Sequence, residues 1–76
     1  MFIQHYFKLD KPHLVSLEIF DSKGKKVRTL LSNSQSTKGE HHIQWDGKNG
    51  SNIELPEGIY IIAIHLLNSG IILLRK

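Results

Sequence analysis

Metal chelation is the first chemistry the side chains invite, because the 76 residues include five histidines. His41 and His42 are adjacent, and adjacent residues on an extended strand point to opposite faces, so they cannot close on one ion there. His41 would need His5, His13 or His65 carried over from another strand, and no spacing in the chain demands that. Histidines on the surface or rim are the simpler expectation. With no cysteine, thiolate zinc sites and disulfides are excluded. A second constellation, Asp46-Gly47-Lys48-Asn49-Gly50-Ser51, sets oxygen donors close together and raises calcium. Hard cations are held by several carboxylates, whereas this run has a single one and a lysine in its middle. The expectation is that Asp46 and Asn49 hydrogen-bond their own backbone as turn residues.

Nucleophilic and phosphate chemistry find even less support. Ser, His and Asp are all present, but no nucleophile elbow surrounds any serine, and Gly47 to Gly50 lacks the lysine-serine ending of a phosphate loop. So small a domain spends its interior on packing and leaves little room for a substrate cleft. The expectation is a protein without catalytic residues, cofactor or metal. Asn49-Gly50-Ser51 matches the glycosylation sequon, a common chance match, and is read as a turn.

The net charge is +3 and the pI about 9.4. Lys23, Lys25, Lys26 and Arg28 form the one basic cluster, without the interleaved aromatics of a nucleic-acid surface. A solvated hairpin edge that resists aggregation is expected there, and no nucleic-acid partner. Ile59 to Leu67, the longest apolar run, falls short of the ~20 residues of a spanning helix, so no membrane insertion is expected. No basic segment followed by an apolar one marks a signal peptide at the start.

The stretch from Trp45 to Ile64 organises the chain. A strand ends on Trp45, a dense cluster of turn residues follows, and Pro56-Glu57-Gly58 launches the most apolar strand. Asp-Gly and Asn-Gly pairs supply positive φ at low steric cost, and Pro56 lets a sheet begin but not continue through it. Elsewhere, Met1 to Leu9 reads as a first strand, ended by Asp10-Lys11-Pro12. His13 to Phe20 alternates Val15, Leu17 and Ile19 against Ser16 and Glu18, the pattern of a half-buried strand. Asp21-Ser22-Lys23-Gly24 reads as a hairpin loop with Gly24 left-handed at its end. Lys25 to Leu31 is the return strand, Val27, Thr29 and Leu31 on one face and Lys26, Arg28 and Leu30 on the other. Ser32 to Lys38 reads as a surface loop.

Gly39 to Trp45 is again strand-like. Tyr60, Ile62, Ile64 and Leu66 share one face of the next strand and Ile61, Ala63, His65 and Leu67 the other, which predicts a central strand covered on both sides. Asn68-Ser69-Gly70 reads as a turn before a last strand, Ile71 to Leu74. No amphipathic helix pattern occurs. Roughly 60% burial is what a chain of this size reaches, enough for one domain only. The expectation is one all-β domain over 1–76, a small antiparallel sandwich of six to seven strands.

Three motifs carry a resemblance across nearly the whole chain. They are Val15 to Leu30 with its Asp21-Ser22-Lys23-Gly24 loop, Gly39 to Trp45-Asp46-Gly47, and Pro56-Glu57-Gly58-Ile59-Tyr60. This order resembles the Ig-like domain of the flagellar hook-capping protein. It is equally similar to the type-A C-terminal sorting domain of proteins exported by the bacterial type IX secretion system. Both resemblances imply an Ig-like sandwich in which Asp21, Gly24, Trp45, Asp46, Gly47, Pro56, Gly58 and Tyr60 are structural. Trp45 is expected as a core plug. Tyr60 is expected to anchor the corner by returning its hydroxyl to upstream backbone.

For function, the first expectation from the resemblance is a non-catalytic sorting module at the C-terminus of a longer exported bacterial protein, acting at the cell surface or beyond. The secretion machinery would recognise the exposed face and edge around the last two strands, Ile59 to Lys76, by strand addition along Ile71, Ile72, Leu73, Leu74, Arg75 and Lys76, with a passenger domain upstream. The alternative is a structural module in a flagellar or cell-surface assembly, whose partner is another subunit. An accessory carbohydrate-binding domain is a third reading. It would need exposed coplanar aromatics, whereas those of this sequence are expected to be mostly buried.

Overall fold

A computed structural model describes residues 2–67 and 70–75. The described strands are β1 (Ile3–Leu9), β2 (His13–Asp21), β3 (Lys26–Ser36), β4 (Gly39–Trp45), β5 (Tyr60–Leu66) and β6 (Gly70–Arg75). All their pairings are antiparallel. β1 pairs with β4 alone, while β3, β2, β5 and β6 form a four-stranded sheet in that order. The chain is therefore an all-β sandwich, as its alternating pattern predicts. Asn68 and Ser69 of the expected Asn68-Ser69-Gly70 turn lie outside the described residues, as do Met1 and Lys76.

Period-2 alternation decides which face turns inward. Val15, Leu17 and Ile19 of β2 lie beside Leu66, Ile64 and Ile62 of β5, so the two central strands present one continuous aliphatic face. Ile3, Leu9, Ile43 and Trp45 complete the core from the opposing sheet. Each of the larger core side chains removes enough apolar surface from water to contribute about 1.5–3 kcal/mol, which offsets the chain entropy lost on folding.

Three expectations are corrected by this arrangement. Ser32 to Lys38 is not a loop as a whole: β3 continues to Ser36, which pairs with His13 and is buried. The polar composition hid a strand whose ladder to β2 overrides its weak propensity. Two hydrogen bonds tie Asn33, at φ 46°, to Ser16 there.

The simple alternation predicted for Lys25 to Leu31 also fails. Register shifts between Val15 and Leu17, Leu17 and Glu18, and Ile19 and Phe20 interrupt the pairing, so Leu30 as well as Leu31 packs against the core while Thr29 is exposed. Finally, β5 is central but not covered on both sides. Its outer face grades from buried Ala63 through half-buried Ile61 to exposed His65, because no described element packs over it.

Candidate functional site

The corner between β4 and β5 is held by a network built from side chains and turn backbone. Trp45 fills the core, and its Nε1–H donates to the Lys48 carbonyl at 2.9 Å. The same carbonyl accepts from Arg28 Nη1 at 2.8 Å, and that nitrogen lies 3.2 Å from Asp46 Oδ1. Asp46 Oδ1 also accepts the Lys48 amide at 3.0 Å. That amide bond is the main reason the Asp46 carboxyl sits below its ordinary value of 3.8; partial desolvation opposes it and the Arg28 charge reinforces it. Gly47 takes φ 80°, where a side chain would be strained.

Beyond Gly47 the turn cluster forms a miniature hairpin. Lys48 bridges Glu54, and Asn49 Oδ1 accepts the amides of Ser51 and Ile53 at 2.9 and 3.0 Å. The left-handed residue here is Asn52, at φ 66°, rather than Gly50. Oδ1 of Asp46 and Oδ1 of Asn49 thus each accept backbone amides, as turn residues do. The chain then passes Pro56, whose carbonyl accepts the Tyr60 hydroxyl at 2.6 Å. The Tyr60 ring meets Trp45 edge-on, 5.2 Å between centroids and 70° between planes. Asp21 lies opposite Tyr60 in the β2–β5 register, which brings the β2–β3 hairpin tip to the same end. At that tip Asp21 Oδ1 accepts the Lys23 and Lys25 amides, both at 2.9 Å, and Gly24 takes φ 83°. An open groove of about 270 Å³ separates the tip from Leu55 to Tyr60. It falls short of the roughly 300 Å³ at which small-molecule pockets begin.

A different surface lies at the far side of the four-stranded sheet. β6 is its end strand, and Ile71, Ile72 and Leu73 are exposed. Leu74 packs in part against the core, and Arg75 is exposed. On the other sheet Tyr6 stacks on His42 at 4.4 Å and Phe7 on His41 at 5.2 Å, so the adjacent histidines do face opposite ways. Among the described residues no group of three or more His, Cys, Asp or Glu could hold a metal ion. No described helix is long and apolar enough to cross a membrane.

The family model of the FlgD Ig-like domain matches residues 4–70. The chain belongs to the FlgD Ig-like domain family. Its fold is similar to FlgD from P. aeruginosa, with a TM-score of 0.78 and 22% identity over 99% of this chain and 58% of that one. It is also similar to a truncated FlgD from Helicobacter pylori, with a TM-score of 0.74 and 20% identity over 99% of this chain and 57% of that one. The chain therefore spans less than two thirds of either protein. No curated protein matches its sequence.

For this FlgD Ig-like domain, the three sequence motifs meet at one end of the sandwich. Asp21, Gly24, Trp45, Asp46, Gly47, Pro56 and Tyr60 each make a contact or adopt a backbone conformation that holds that end. Gly58 takes no positive φ, and a Cβ built on it would meet Tyr60 Cε2 only at 3.9 Å. Ile71 to Arg75 stand apart from that end except at their C-terminal tip, where Arg75 pairs with Ile61; Lys76 lies outside the described residues. Arg28 was hidden from sequence reasoning because it sits among lysines. Its place in the network comes from the interrupted β2–β3 register, which leaves no local mark. Of the aromatics, Trp45 and Tyr60 are buried and Phe7 and Phe20 half-buried, as expected of most of them, while Phe2 and Tyr6 are exposed, at 65% and 59%.

Proposed function

We propose that this FlgD Ig-like domain is a non-catalytic structural module of a flagellar assembly, working outside the cell by contact with other protein subunits. The observation that carries this reading is the match to the FlgD Ig-like model over residues 4–70. Two FlgD structures repeat the fold. The exposed strand β6 supports contact with a protein partner. The family that matches is the hook-capping one, which gives the assembly reading a support that the type IX sorting reading lacks. An interior filled by Trp45 and isoleucines, with corner polar groups bonded to one another, fits a scaffold better than a reaction site.

An antibody to this domain, used on fractionated source cells and in electron microscopy of purified hooks, tests the reading. One band of constant size that co-purifies with hook structures is expected. A large intracellular precursor that loses about one domain at the surface would overturn it and restore a cleaved sorting signal.

A further inference from the structure

The two edges of the four-stranded sheet are built differently. β3, at one end, carries Lys26 and Arg28, has three register shifts against β2 and contains Asn33 at positive φ. Charge and bulges of this kind keep a sheet edge from taking another strand. β6, at the other end, pairs with β5 through six residue pairs without a shift, and it has neither proline nor acid. Its outer amides and carbonyls have no neighbouring strand among the described residues.

We propose that β6 pairs antiparallel with β6 of a second copy, extending the sheet across a two-fold axis. Three features select a second copy as occupant. A strand added here must show apolar side chains on both faces, and β6 does so itself, with Ile71 and Leu73 outward and Ile72 and Leu74 inward. Its one described charge is Arg75, at one end, so antiparallel pairing sets the two Arg75 side chains at opposite ends. The β3 edge of another copy is guarded, so pairing stops at two chains instead of growing into a filament.

The pleat then fixes the register. Residues directly opposite must share a face, and the register that keeps the apolar residues together sets Ile72 against the partner's Ile72, and Ile71 against the partner's Leu73. The outer face gains a stripe that runs from Phe20 and Ile61 through Ala63 and Leu73 into the second copy. One pair of short strands makes a small interface, so the association is weak. The inference stands on the strand geometry alone, and its outcome leaves untouched the family match that carries the flagellar reading.

Sedimentation equilibrium of the 76-residue chain, from about 10 μM to about 1 mM, suits an interface below the roughly 1,200 Å² of stable complexes. A monomer–dimer equilibrium is expected, weakened about tenfold or more by Leu73→Lys, a change at an exposed position. Since the chain has no cysteine, single substitutions report the register cleanly. Ile72→Cys should form a disulfide-linked dimer under mild oxidation, Ile71→Cys alone should not, and Ile71→Cys with Leu73→Cys should. Circular dichroism matching the unsubstituted chain verifies that each variant is folded. A monomer throughout the range, or equal cross-linking of all three cysteine variants, would overturn the proposal.

Discussion

Tyr60 donates its hydroxyl to the Pro56 carbonyl over 2.6 Å, four residues back along its own chain. The bond ties the first residue of β5 to the proline at the end of the corner, while the ring of Tyr60 leans edge-on against Trp45. Tyr60→Phe keeps the ring and removes the bond. About 1 kcal/mol should be lost, a melting point lower by roughly 4–8 °C, with far-ultraviolet circular dichroism unchanged. An unchanged melting point would mean that the hydroxyl contributes nothing to the corner.

Trp45 has two separable roles. Trp45→Phe leaves a core aromatic but strips the Lys48 carbonyl of one donor. Trp45→Ala opens a cavity that costs about 3–5 kcal/mol, against the roughly 5–10 kcal/mol that holds a domain of this size together. Thermal denaturation should therefore rank them unsubstituted, Phe, Ala, with Ala lower by more than about 15 °C.

The depressed Asp46 carboxyl gives a pH dependence of known sign. A carboxylate whose pKa falls on folding stabilises the folded state above its unfolded value, and the contribution is lost as pH drops through the folded one. Asp46→Asn removes this titration. Its melting point should lie below that of the unsubstituted chain at neutral pH, and the gap should close as pH falls below the ordinary value of 3.8. A gap independent of pH would assign the role of Asp46 to shape alone.

Glycine substitutions should divide by backbone conformation. Gly24→Ala places a side chain at φ 83°, where no atom lies within 4 Å, so its cost of about 1–2 kcal/mol is purely conformational. Gly58→Ala has ordinary φ and room beside Tyr60, and its stability should stay within about 0.5 kcal/mol of the original. The reverse ranking would contradict the backbone described here.

The sequence made much of this fold legible where burial and turn chemistry agree. Val15, Leu17 and Ile19 alternate so clearly that β2 could be placed without a partner, and Asp21 with Gly24 marked the hairpin. Composition misled at Ser32 to Ser36, where strand pairing is imposed by β2 and local propensity has no say. The position of Arg28 was illegible for a related reason. Its face depends on register shifts, and these arise from how two strands meet. At Gly58 the backbone takes no positive φ, so the glycine of that motif has no conformational reason of the kind Gly24 and Gly47 have.

The two-against-four arrangement of the sheets has a thermodynamic consequence. The core residues of β1 and β4 share one cluster with those of β2 and β5, and no residue of β6 is fully buried. Detaching β6 would therefore cost its ladder to β5 and the partial packing of Leu74, but leave Trp45 covered by the rest of the core. Such a strand opens at a lower free energy than the domain as a whole, and its amides, with those of β5 that face it, exchange with solvent ahead of those of β2. Whatever docks along it selects the closed form, so occupancy at this edge would be read out as slower exchange in a segment the core does not need.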